Sequence, residues 1–120
     1  MKLRSEGLDV EFIRLDVTNP DHITQARGYI QSSFGRLDIL VNNAGFSHPE
    51  DSVTGSSVET VSREALRETF DVNFFGLVEL TQSLLPLIKE SEAGRIVNVA
   101  SILGSLTMHR NTRSKRRWPR

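Results

Sequence analysis

Cysteine is missing from all 120 residues, so no disulfide and no thiolate metal site can form. The histidines, His22, His48 and His109, stand far apart and make no ligand spacing such as H-E-x-x-H. They read as loop or helix-surface residues. No apolar run approaches the ~18 residues of a membrane span. The first residues, MKLRSEGLDVE, turn polar and acidic at once, unlike a secretory signal, so the expectation is a cytoplasmic protein. Tyrosine occurs once, as Tyr29, and tryptophan once, as Trp118. Chemistry that needs a tyrosine elsewhere has none to use.

Charge is balanced only in total, with 15 basic and 15 acidic residues. Residues 109–120 hold six basic side chains, Arg110, Arg113, Lys115, Arg116, Arg117 and Arg120, and no acid. Residues 1–108 are left with nine basic residues against 15 acids, a net of −6. So abrupt a shift marks a boundary. The expectation is a folded body over 1–108 and a basic, disordered tail over 109–120.

Apolar patterning divides the body. Val10–Asp16 reads as a strand, closed by Thr18-Asn19-Pro20. Asn19 is a good N-cap and Pro20 suits the first helical position. The spacing of Ile23, Ala26, Ile30 and Phe34 predicts a helix over 20–34, ended by Gly35. Leu37–Val41 reads as a strand apolar on both faces, as in a parallel sheet covered by helices on each side. Residues 46–61 form a polar surface loop, and Ser62 caps an RxxLRxxF helix. A longer helix follows almost directly, with Leu77, Leu80, Thr81, Leu84 and Ile88 on one side. Pro86 is expected to bend it or end it early. Arg95–Ala100 reads as a third strand, with Ser101-Ile102-Leu103-Gly104 as its exit loop. Strand–helix–strand–helix–strand is the order of a parallel α/β sheet.

In an open parallel sheet, ligands bind beyond the carboxyl ends of the strands. All three predicted strands end in small or polar residues: Asp16-Val17-Thr18, Asn42-Asn43-Ala44-Gly45 and Ala100-Ser101. Glycine and alanine let a backbone approach a flat ring, and asparagine amides both donate and accept. Each motif alone is ordinary turn chemistry. Together, LDVTN at 15–19, LDILVNNAG at 37–45, DVNFFG at 71–76 and GRIVNVASILG at 94–104 resemble the short-chain dehydrogenase/reductase family. The resemblance spans roughly residues 2–108 and implies a partial Rossmann-type, doubly wound parallel sheet of class α/β.

The resemblance also implies roles. Asp16, with Val17, matches the contact to an adenine ring. Asn43, Ala44 and Gly45 match the turn against the cofactor, NAD or NADP, while Asn42 serves the sheet. Asn73 matches the asparagine that interrupts the long helix and holds a water of the proton relay. Ser101 matches the catalytic serine that hydrogen-bonds the substrate carbonyl. The implied reaction is hydride transfer between nicotinamide and a small carbonyl or alcohol substrate. In the family, a tyrosine moves the proton and a lysine four residues later lowers its pKa. A free tyrosine, at about 10, is too weak an acid for that work at neutral pH. The helix over 71–90 resembles one that pairs subunits into a homo-oligomer. Leu77, Leu84 and Ile88 are therefore open to two roles, core or interface.

The chain departs from the pattern at both ends. The glycine-rich turn that cradles pyrophosphate does not precede Asp16, and Y-x-x-x-K does not follow Ser101. Tyr29 lies too early to stand in. The expectation is an internal fragment, inactive by itself, with a tail arising from translation out of frame or readthrough. In the family's strand order, Val10–Asp16 does not neighbour Leu37–Val41, so it lacks a partner and the isolated chain is expected to be marginally stable. Two other functions fit the residues: a non-enzymatic fragment that docks onto an intact subunit, or a nucleic-acid binder using RSKRR and Trp118. The acidic body argues against the latter.

Overall fold

The computed structural model describes residues 5–47 and 60–101. Helix α1 spans Pro20–Phe34, strand β1 Ile39–Asn42 and helix α2 Arg63–Phe70. A π-helical segment over Asp71–Gly76 leads into helix α3, Leu77–Lys89, and strand β2 covers Arg95–Asn98. Strands β1 and β2 pair in parallel, with Ile39 opposite Arg95 and Asn42 opposite Asn98. The long helical run crosses between them, as a parallel pair requires.

Local chemistry sets the helix ends. The Asn19 side chain accepts from the backbone N–H groups of Asp21 and His22, and Pro20 opens α1. Gly35 closes α1 at φ 70°, and its N–H reaches the carbonyls of Ile30 and Gln31. Ser62 Oγ accepts from Ala65 N at 3.1 Å and caps α2. Pro86 does not end α3 early: the helix runs on to Lys89. The packing of Leu84, Leu87 and Ile88 on either side of Pro86 outweighs the one missing N–H.

The core forms where α1 and β1 meet α3. Val17, Ile23, Leu40, Leu80, Leu84, Leu87 and Ile88 cluster there, with Ile30, Leu37 and Val72 packed against them. Leu84 and Ile88 are therefore core residues, which removes them from any subunit interface. Two contacts tie the lower turns to this core. Leu37 N donates to Leu87 O at 3.0 Å. Gly94 lies so close to Ile88 that a Cβ would strike the Ile88 carbonyl oxygen, which explains a glycine at the turn before β2.

Two sequence expectations fail for one physical reason. Val10–Asp16 forms no strand among the described residues, and Phe12 is 74% exposed. A strand must hydrogen-bond a neighbour, and β1 bonds only β2 here. The three-strand sheet is thus a two-strand sheet in the described residues. The second face of that sheet is uncovered: Ile39 and Val41 are more than half exposed, while Leu40 and Asn42 face α3 and are buried. Phe34, expected on the apolar stripe of α1, is also exposed, and its ring meets that of Tyr29 edge-on. Residues 102–120, with Gly104 and the basic tail, and most of the 46–61 loop lie outside the described residues.

Candidate functional site

The carboxyl ends of β1 and β2 lie side by side, so the turns leaving them share one edge of the sheet. Three of the residues expected to face the cofactor, Val17, Asn43 and Ala44, line one groove with Leu15, Val41, Asn42, Val72, Leu77 and Leu80. Its volume is about 180 Å³. Small-molecule sites usually take roughly 300–1,000 Å³, so this groove has room for only part of a larger ligand.

The Asp16–Thr18 turn forms one wall. Asp16 Oδ1 accepts from Thr18 N at 2.9 Å and from Thr18 Oγ1 at 2.7 Å. The Thr18 hydroxyl, and then the Thr18 backbone N–H, hold the Asp16 carboxyl below the usual carboxylate range. Among the described residues, Asp16 Oδ2 carries no hydrogen bond. Val17 is buried, and its N–H likewise donates to nothing. A free acceptor beside a free donor matches the edge of an adenine, which offers an amine next to a ring nitrogen.

Asn42 and Asn43 divide the work at the end of β1. Asn42 is buried, and its amide nitrogen donates to Asn98 Oδ1 at 2.8 Å and to Thr81 Oγ1 at 3.1 Å. One side chain thus joins β1, β2 and α3, and it serves the sheet. Asn43, Ala44 and Gly45 continue outward and are exposed. A Cβ on Gly45 would meet nothing closer than 3.9 Å, and Gly45 is not among the positive-φ glycines. Neither packing nor backbone conformation demands glycine there, so the space it leaves is open to a ligand.

Asn73 lies within the π-helical segment, where the long helix is interrupted as expected. Both polar atoms of its side chain are engaged. Oδ1 accepts from Phe46 N at 2.8 Å, and Nδ2 donates to Phe46 O at 2.7 Å. The amide acts as a peptide mimic and clamps the residue that follows Gly45. Oδ1 and Nδ2 each keep one further hydrogen-bonding position. π-helical turns of this kind recur at functional sites. Ser101 is exposed just beyond β2, at the same sheet edge.

A family model described as short chain dehydrogenase matches residues 1–113. The chain belongs to the short-chain dehydrogenase family. It is 38% identical over 120 residues to a short-chain dehydrogenase/reductase of Aspergillus fumigatus, covering 99% of this chain and 44% of that protein. It is 38% identical over 112 residues to NADPH carbonyl reductase 1 of Mus musculus, covering 93% of this chain and 37% of that protein. Salutaridine reductase from Papaver somniferum superposes with a TM-score of 0.73 at 31% identity, over 89% of this chain and 45% of its own. The chain thus spans less than half the length of these relatives. Members of the short-chain dehydrogenase family are Rossmann-fold oxidoreductases that use NAD(P)(H).

Within this short-chain dehydrogenase, Gly76, Thr81 and the backbone of Phe46 went unread as site residues. A Cβ on Gly76 would lie 2.6 Å from Val17 O and 2.9 Å from Val17 Cγ2. The glycine lets the helix press against the Asp16–Thr18 turn. Its signal was available, because a glycine inside a helical pattern costs about 1 kcal/mol and so usually has a packing reason. Thr81 and Phe46 gave no such signal, since both act only through contacts remote in sequence.

Proposed function

We propose that these residues form the adenine-side and central part of a nicotinamide-dinucleotide site in a cytoplasmic oxidoreductase of the carbonyl reductase or alcohol dehydrogenase type. The observation that carries this is the unpaired acceptor–donor pair of Asp16 Oδ2 and Val17 N–H beside the groove. Adenine would take both bonds, which satisfies an N–H that lacks an acceptor among the described residues. Asn43, Ala44 and Gly45 would lie against the cofactor, with the Phe46 clamp of Asn73 fixing the turn. The bound dinucleotide would supply the hydride. Ser101 would hydrogen-bond the carbonyl oxygen of a small substrate, and Asn73 would hold a relay water.

The 120-residue chain is proposed to be inactive by itself. Tyr29 is its one tyrosine and lies exposed on α1. No tyrosine follows Ser101 to deliver the proton. A second reading, docking onto an intact subunit, draws support from Phe70, Phe74 and Phe75, each more than half exposed along the interrupted helix. Titration of the chain with 5′-AMP tests the first reading. Saturable binding is expected, weakened about tenfold by Asp16→Asn, which replaces one carboxylate acceptor with a donor. Binding indifferent to that change would overturn the adenine assignment. Oxidation of NADPH by the purified chain in the presence of a carbonyl compound would overturn the inactivity.

A further inference from the structure

We infer that His22 is a positioning residue for the adenine edge, acting through the backbone of Asp16. This inference rests on the reading that Asp16 and Val17 face adenine.

Asp16 N donates to the Nδ1 atom of His22 at 3.2 Å, across six positions of chain. A ring nitrogen accepts only through its lone pair, so the bond selects the neutral tautomer with its hydrogen on Nε2. The ring itself is well fixed. His22 sits in the first turn of α1, and its own N–H donates to Asn19 Oδ1 at 3.3 Å. The next residue, Ile23, is anchored in the core.

The consequence falls on the proposed ligand edge. The peptide unit that His22 holds lies immediately before the Asp16 side chain and one residue before the free Val17 N–H. Thr18 fixes Asp16 Oδ1 from the other side. Val17 is buried in the core next to Gly76. His22 is therefore the restraint on the amino-terminal side of an otherwise fixed turn. Among the described residues, 10–16 form no strand ladder, and the imidazole is the group that takes the Asp16 N–H. Without it, Asp16 Oδ2 and Val17 N–H would keep their chemistry and lose their fixed relation to each other.

The test uses the full chain with His22→Ala and His22→Asn. An asparagine oxygen falls near the place of Nδ1 and can accept the Asp16 N–H, whereas alanine cannot. Binding of 5′-AMP and of nicotinamide mononucleotide is measured beside hydrogen exchange at the Asp16 amide. His22→Ala is expected to weaken 5′-AMP about fivefold, the scale of one hydrogen bond. Any binding of nicotinamide mononucleotide should stay unchanged. Exchange at Asp16 should quicken by a similar factor, and His22→Asn should restore both. A simple loss of fold would weaken both ligands and would count against the inference. Wild-type binding of 5′-AMP that His22→Ala leaves intact would overturn the role of His22 while sparing the adenine reading. If no variant binds 5′-AMP, but Asp16 exchange still quickens in His22→Ala and recovers in His22→Asn, the adenine reading falls and the positioning of the turn stands. An Asp16 amide indifferent to both changes overturns the inference outright.

Discussion

Gly76→Ala adds a single methyl group at the junction of the π-helical segment and α3. Gly76 has φ −62° and ψ −38°, an ordinary right-handed helical conformation. Alanine adopts it without strain and should raise helix propensity by up to about 1 kcal/mol. The new Cβ would nevertheless lie 2.6 Å from Val17 O, 2.9 Å from Val17 Cγ2 and 3.0 Å from Asp71 O. Two of these atoms are backbone oxygens, which cannot swing aside as a side chain can. Overpacking of this kind costs typically about 1–3 kcal/mol, and the backbone clash points to the upper half of that range. The net expectation is a loss of about 1–2 kcal/mol. Gly28→Ala is the internal control. Gly28 lies inside α1 with nothing within 4 Å of an added Cβ, so the same exchange should stabilise by about 0.5–1 kcal/mol. Urea denaturation followed by circular dichroism measures both. A Gly76→Ala protein as stable as the wild type, or shifted in the same direction as Gly28→Ala, would refute the close approach of Gly76 to Val17.

Asn42→Ala should destabilise by about 1–3 kcal/mol, because a buried amide that joins β1 to β2 and α3 is lost. A denaturation midpoint unchanged within error would count against that bracing role. Asp38 accepts from Ser91 Oγ at 2.6 Å and from Arg36 Nε at 3.1 Å. Ser91 first, and the Arg36 charge after it, hold the Asp38 carboxyl below its ordinary range. Its pKa is thus lower folded than unfolded. The stability it contributes is present above about pH 4 and is lost as pH falls through the folded value. Melting temperatures from pH 6 to pH 3 should fall less steeply for Ser91→Ala than for the wild type, and parallel curves would sink the assignment.

Elements defined by local chemistry were legible in the sequence. Asn19-Pro20, Gly35 and Ser62 mark helix ends through caps that act within a few residues, and each cap is found where expected. Strands β1 and β2 were found too, each shorter than its apolar run. Val10–Asp16 shows the limit of such reading. Its composition suits a strand, but a strand is defined by its neighbour, and composition does not carry one. The site divides in the same way. Asn43, Ala44, Gly45 and Asn73 stand out as motif residues. That the Asn73 side chain is spent on Phe46 depends on two segments meeting in space, and no spacing rule reveals it.

The grip of Asn73 on both peptide groups of Phe46 has a consequence for engineering. The chain leaves the Asn43–Gly45 turn through one anchored residue, so whatever follows starts from a fixed pivot. Segments of different length and composition can be transplanted after Phe46 without disturbing Asn43, Ala44 and Gly45. The clamp separates the turn, which must keep its geometry, from the chain that follows it.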